Sequence, residues 1–428
     1  MILLLFVTFI ILLVIGVPII FTLGISSLVY LLFNPITLTI IPQKMVIALE
    51  NSNFLCLPLF ILAGEIMNTG GITGRLINVA KALVGRFRGG LAYVTVMVSM
   101  LFGGVQGMAS VEVAAIGSAL IPAMIKDGYE PDFSTAVVVA SSTIGPIIPP
   151  SFLFVIYAMV AQVSIGALFL GGVIPGILLG VAQMVLIFFI GKSKKFRGKF
   201  PEGEILSFKQ SMKFLLEGAP ALGMPIIIIG GIVFGIFTIT EAACISVVYA
   251  LVIGLLFKGL SPKDIPRLLY SAAKLTGSIA LILSTGTLFA WILTAERVPN
   301  QIGVLLFSIT KNRILLLLLL NAFLLFVGTF MDPTPSVMIL TPIFLPILTN
   351  MGMNPVHIGI FLCLNLIIGL TTPPVGQCLF IASGISKLSI EKISKAMIPF
   401  FIINIGVLLL VTYFPATATF IPNYFMGK

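Results

Sequence analysis

The chain has 428 residues, of which 59% are hydrophobic and only 9% charged, with a formal net charge of +10. A soluble domain carries about 25% charged residues, so a soluble fold is excluded. The excess of Lys and Arg is no nucleic-acid signal either, because it sits in clusters that flank apolar segments, as membrane topology requires. Apolar runs recur end to end at roughly the 20 residues that cross 30 Å of hydrocarbon. The short alternating segments of a β-barrel are absent. The expected fold class is therefore an all-α polytopic membrane protein embedded in a lipid bilayer.

Met1 to Phe33 is too long, and lacks the basic start, for a cleavable signal. It reads as two short spans, 1–14 and 18–33, followed by a loop over 34–48 and a third span over 49–67. Residues 70–89 carry Arg75, Lys81, Arg86 and Arg88 among apolar residues, the pattern of an amphipathic helix at the interface. The apolar stretch 90–124 is interrupted from Gly103 to Ser110, leaving arms that look short for a crossing. It reads as a re-entrant hairpin. The run 133–160 is broken at Ser141 to Pro150, where Gly and Pro cannot hold a regular helix. A span over 163–191 ends in the basic cluster Lys192, Lys194, Lys195, Arg197 and Lys199.

The second half follows the same order. A polar connector at 206–217 precedes spans at 218–236 and 240–257, then a basic loop with Lys258, Lys263, Arg267 and Lys274. A span at 275–294, an interfacial arm at 295–313 and a second hairpin at 314–349 follow, the hairpin's tip running from Val327 to Ser336. The second broken span, 355–385, contains Gly369 to Pro374, and a last span covers 397–414.

The two halves are in register. Gly104, Pro122, Gly128, Pro131, Gly145, Pro149 and Pro150 fall on Gly328, Pro346, Gly352, Pro355, Gly369, Pro373 and Pro374, a constant shift of 224. The chain therefore divides into scaffold spans and arm (1–89), hairpin, broken helix and span (90–191), a basic connector (192–217), and the same two blocks again (218–313 and 314–428). Five crossings per half, an odd number, invert the repeats. With the N-terminus outside, only Lys44, Arg297, Lys311, Arg313 and Lys428 of the 24 Lys and Arg lie outside, in keeping with the positive-inside tendency.

Broken helices in inverted repeats place unwound carbonyls and hydroxyls near the bilayer midplane, where they coordinate cations and face anionic substrates. The first half supplies Gly104, Ser110, Ser141, Ser142, Thr143 and Gly145. The second supplies Gly328, Thr329, Asp332, Thr334, Asn365, Gly369, Thr371 and Thr372. Hard oxygens of this kind suit Na⁺. Alternatively, Ser and Thr back-bond to helix carbonyls. Asp332 is the sharpest single residue, since an intramembrane carboxylate is costly and usually functional; capping the hairpin is its other role. Ser110, Ser142, Thr334, Asn365 and Thr372 are candidates for the substrate. Glu112 and Glu241 sit near helix starts, where dipole stabilisation accounts for them, and Glu65 can snorkel from the end of its span.

Enzyme chemistry has little to stand on. His357 is the only histidine and falls in a loop. Cys56, Cys244, Cys363 and Cys378 form no CxxC pair and read as small core residues. GxSxG, HExxH and P-loop patterns are missing.

Taken together, the segments LPLFILAGEIMNTGG (57–71), FGGVQGMASVEVAAI (102–116), SSTIGPIIPPS (141–151), GGIVFGIFTITEAA (230–243), GTFMDPTPSVMILTPIFLP (328–346) and GLTTPPVG (369–376) carry a resemblance that covers essentially the whole chain. The chain resembles the large membrane subunit of the tripartite ATP-independent periplasmic (TRAP) transporters, in the wider ion-transporter superfamily. The resemblance implies Na⁺-coupled uptake of an organic acid, such as a C4-dicarboxylate or sialic acid, by an elevator motion in the bacterial inner membrane. It implies two Na⁺ sites, mapping onto the two clusters above, a small four-span partner subunit on a separate chain, and a periplasmic binding protein that delivers the substrate. The rivals are a standalone dicarboxylate or citrate transporter of the same superfamily, a passive anion channel and a membrane enzyme.

Overall fold

The computed structural model describes residues 2–192, 200–257 and 259–427, and all regular structure among them is helical. Lys194, Lys195, Arg197, Lys199, Lys258 and Lys428, all assigned to topology above, lie outside these residues. The first half runs α1 (Ile2–Val14), α2 (Ile19–Leu32), α3 (Ile40–Leu49), α4 (Cys56–Thr69), α5 (Ile72–Val84), α6 (Gly90–Gln106), α7 (Ala109–Lys126), α8 (Pro131–Ser141), α9 (Phe152–Ala161) and α10 (Ile165–Lys192). The second runs α11 (Phe208–Val233), α12 (Ile239–Leu256), α13 (Ile265–Ala295), α14 (Val298–Ile309), α15 (Arg313–Phe330), α16 (Pro333–Asn350), α17 (Pro355–Gly369), α18 (Gln377–Ser386), α19 (Ile390–Tyr413) and α20 (Ala416–Met426).

Seven helices are long and apolar enough to cross a membrane, or eight when α3 and α4, bent by 61°, are joined. Two of the seven, α7 and α15, each of 18 residues, fall where the sequence suggests hairpin arms. At 1.5 Å per residue each is about 27 Å long, so the arms are longer than the glycine-rich sequence suggests. The partner of α7 is also longer than expected: α6 runs on through Gly103 and Gly104 to Gln106, and only Gly107 and Met108 break the helix. Gly107 has φ 59°, and a Cβ there would lie 3.0 Å from Pro150 O and Phe152 N.

Other boundaries move for related reasons. Part of the expected loop 34–48 is α3. The connector 206–217 and the span after it are one helix, α11, started by a Ser207–Gln210 capping box. The basic loop before 275 is largely the first turns of α13. Backbone hydrogen bonding does not stop where side chains turn polar. His357 is in the first turn of α17, fully buried, with Nε2 2.7 Å from Val411 O, and not in a loop. Cys244 is exposed while the other three cysteines are buried. The helix α20 had no counterpart in the sequence reading.

The helices form two packed groups. In one, α4 packs on α12, α5 on α11, and α2 and α3 on α13, so elements of both halves interleave. In the other, α6, α7, α8 and α10 pack together and against α17 to α19, with α15 and α16 packed on α17. Many large apolar side chains face outward, Leu3, Phe189, Ile226 and Phe234 among them. Lipid is the solvent there, so burial is no longer the criterion for an apolar residue.

The segment joining the halves is tied down at Phe200. Its ring is buried, 5.1 Å from Phe133 and 5.5 Å from Tyr129, and rests on Gly89 and Gly191. Gly89 N donates to Pro201 O (2.9 Å), and Lys81 pairs with Glu204 at 3.4 Å. Truncating such an aromatic leaves a cavity, which costs about 3 kcal/mol or more. Phe200→Ala is therefore expected to lower the thermal unfolding temperature of the purified protein; an unchanged transition would mean the ring is not holding the segment.

Candidate functional site

Each helix break packs against the tip of the helix pair before it, and glycine permits the contact. A Cβ on Gly103 would lie 2.7 Å from Gly145 Cα and O. In the second half a Cβ on Gly369 would lie 2.6 Å from Gly328 Cα. Gly376 N donates to Thr329 O (3.1 Å), tying the second break to its tip. The Pro149–Pro150 and Pro373–Pro374 peptide bonds are cis. Gly104, the expected contact residue, lies in the last turn of α6, next to Gly103.

The hydroxyls of the breaks all hydrogen-bond to the chain. Ser141, Ser142 and Thr143 donate to Val138, Val139 and Ala140 carbonyls at 3.1, 2.8 and 2.7 Å. Thr329, Thr371 and Thr372 donate to Phe326, Ile368 and Ile368 carbonyls at 2.7, 2.8 and 2.9 Å. The back-bonding alternative is thus realised at all six. It does not remove them as ligands, because a hydroxyl that donates its one proton keeps its lone pairs. Asp332 likewise caps α16, Oδ1 accepting from Thr334 N at 2.9 Å, and it remains exposed on the cleft side.

Glu112 is a residue whose weight the sequence did not reveal. It is buried in the first turn of α7, its carboxyl group set against Gly145 where a Cβ would otherwise go, and Oε1 makes no hydrogen bond of good geometry, with only the Ser99 hydroxyl near it. An orphaned carboxylate oxygen beside an unwound backbone fits a bound cation. Cys378, at the start of α18, lies beside Ser142 and within electrostatic reach of Glu112 and Asp332, so the first break and the second tip meet there. Glu241, by contrast, forms a capping box with Thr238. No cluster of three or more His, Cys, Asp or Glu side chains suited to a metal occurs among the described residues.

The helices after the breaks cross over. The α9 helix, from the first half, packs on α16 and α17; α18, from the second, packs on α7 and α8. Tyr157 of α9 donates to Pro355 O at 2.8 Å, and its ring covers Gly359. This exchange opens one cleft between the halves. Ser110 from the first tip, Pro146 from the first break, Asp332 and Thr334 from the second tip, and Gln377 all line it. Neither break's hydroxyls line it: Ser142 is fully buried, and Thr372, though partly exposed, is not among the lining residues. Asn365 is buried too, its Nδ2 donating to Asn321 Oδ1 (2.7 Å) and Phe361 O (2.9 Å). It ties α17 to α15 and does not reach the cleft.

Residues 6–417 match the family model of the tripartite ATP-independent periplasmic transporter, DctM component. The chain belongs to this family. Among relatives of this TRAP permease, the uncharacterized protein YgiK of Salmonella typhimurium is 40% identical, over 99% of this chain and 98% of its own. The C4-dicarboxylate large permease DctM of Vibrio cholerae is 36% identical (99% and 98%), and the sialic acid large permease SiaM of the same species 37% (96% of each). The YdaH transporter of Alcanivorax borkumensis superposes with a TM-score of 0.63 over 90% of each chain, at 14% identity, a likeness of fold alone. The protein is thus a transport permease and a multi-pass component of the bacterial inner membrane. As part of a tripartite system it works with partner subunits.

Proposed function

We propose that this permease imports an organic acid by Na⁺ symport, through an elevator motion in which the re-entrant hairpins and broken helices of two inverted repeats move against the scaffold spans and arms. The observation that carries this is the single cleft lined by both tips and a break (Ser110, Pro146, Asp332, Thr334 and Gln377). The cations are cargo, one bound at Gly145 and the hydroxyls behind it with Glu112, the other around Asp332, Thr329, Thr371 and Thr372. Coupling follows from charge. A carboxylate solute cannot share a cleft with the uncompensated Asp332 side chain, because like charges repel; a bound Na⁺ removes that repulsion. The two helix groups suit an elevator, since cavities lie between them on either side of the cleft.

The relatives named for C4-dicarboxylates and sialic acid support a carboxylate substrate. The family's tripartite character supports a periplasmic binding protein and a small four-span subunit as partners. The test is uptake of succinate and N-acetylneuraminate into proteoliposomes holding the permease, its small subunit and its binding protein. Accumulation that collapses without a Na⁺ gradient is expected. Uptake by this chain alone would favour a standalone transporter, and equilibration without accumulation would favour a channel.

Ser142→Ala combined with Thr372→Ala probes the ligands behind the cleft. Each substitution deletes a hydrogen bond worth about 1 kcal/mol, so the protein should still fold. The Na⁺ concentration for half-maximal uptake is expected to rise about tenfold, the effect of about 1.4 kcal/mol of lost ligation. Normal Na⁺ dependence would remove both residues from the sites.

A further inference from the structure

A cavity at the α9 end of the cleft contains the only charged side chain, among the described residues, that lines it: Lys44 of α3. Asn51, Thr287, Trp291 of α13, Gln162 and Met338 of α16 share the walls. No described carboxylate lies within ion-pair distance of the Lys44 ammonium, which sits 5.6 Å from the centre of the Trp291 ring. That cation–π contact holds the lysine in the cavity, where a snorkelling residue would extend away from it. A partly buried ammonium with no counter-ion, beside the polar side chains of Asn51 and Thr287, attracts an anion.

The cavity and the cleft are separate spaces walled by the same two helices. On α9, Phe152 and Leu153 line the cleft, while Met159 and Val160 line the cavity. On α16, Pro333 and Thr334 line the cleft, while Met338 and Pro342 line the cavity. Seven residues of helix span about 10 Å, so the two sites lie about that far apart along α9 and α16. On the far side of the cleft the corresponding cavity holds a carboxylate, Glu65, which accepts from Ser271 Oγ at 2.7 Å.

We propose that the Lys44 cavity is an anion site that holds the carboxylate of the transported solute next to the cleft, before or after its passage along α9 and α16. This rests on the organic-acid reading above and adds a second station to it. Asn51 and Thr287 offer polar contacts to the solute, and Trp291 forms the wall.

Trp291 is the only tryptophan of the chain, so fluorescence excited where tyrosine does not absorb, in nanodiscs made with a tryptophan-free scaffold protein, reports on this cavity. The purified permease in nanodiscs would be titrated with succinate and with N-acetylneuraminate, alongside uptake of both in proteoliposomes. A probe that is accumulated should change the fluorescence saturably. Lys44→Gln should weaken that response about tenfold and raise the uptake KM with kcat little changed, and Lys44→Arg should restore both. An accumulated probe that leaves the fluorescence unchanged, or acts equally on Lys44→Gln, overturns the inference. So does a response to phosphatidylglycerol in the nanodisc that carboxylates cannot compete away, since the occupant is then a lipid headgroup. If neither probe is accumulated, the organic-acid reading fails and this inference with it, a result the uptake arm shows separately.

Discussion

Gly369→Val is expected to abolish transport while the protein still inserts and can be purified. The Cβ of any residue at 369 would lie 2.6 Å from the backbone of Gly328. Backbone cannot rotate away as a side chain can, so α15 and α17 must separate. Overpacking of this kind costs about 1–3 kcal/mol in stability. The larger effect is on geometry: the contact holds Thr329 near Thr371 and Thr372, and Gly376 N on Thr329 O at 3.1 Å. Misplacement by about 1 Å at a site that must bind and release on each cycle costs about 100-fold in rate. Uptake normalised to monodisperse protein would measure it. Retention of more than about half the wild-type rate would show that tip and break need not touch.

Removal of the Asp332 charge should be almost as damaging, and two variants divide its roles. The side chain caps α16, a contribution of about 1 kcal/mol. Asp332→Asn keeps an oxygen that can accept from Thr334 N but has no charge, whereas Asp332→Ala loses both. If capping were the whole role, Asn would transport normally and Ala would be slightly less stable. If the carboxylate binds Na⁺ beside the substrate, both variants should lose Na⁺-driven uptake by about 100-fold, whatever their stability. Measuring initial uptake against Na⁺ concentration together with thermal unfolding separates the two. Normal Na⁺-driven uptake by Asp332→Asn would leave only the cap.

Much of this was legible before any coordinates. Gly145 to Pro150 and Gly369 to Pro374 had to interrupt their helices, because proline removes a donor and clashes with the preceding turn. Asp332-Pro333 reads as a helix start for the same local reason. Less legible were the lengths of elements. The first turns of α11 and α13 are polar, yet helical hydrogen bonds continue once a capping residue has started them. Polarity marks where a helix leaves the lipid, not where it ends.

Polar residues in apolar helices were the least decidable. Asn365 and Ser110 look alike in sequence, but Asn365 is turned to Asn321 inside the wall and Ser110 lines the cleft. Glu112 reads as a dipole-stabilised helix start, and only its packing against Gly145 shows an oxygen without a hydrogen bond of good geometry. By itself the sequence determined the membrane class, the places where helices must break and the residues that could offer oxygen to a cation. These follow from composition and from backbone chemistry, which act locally. The tertiary structure alone decided that α9 and α18 change halves, which side chains line the cleft, and that Lys44 faces a cavity beside it. Those depend on contacts between residues far apart in the chain, and no local pattern records them.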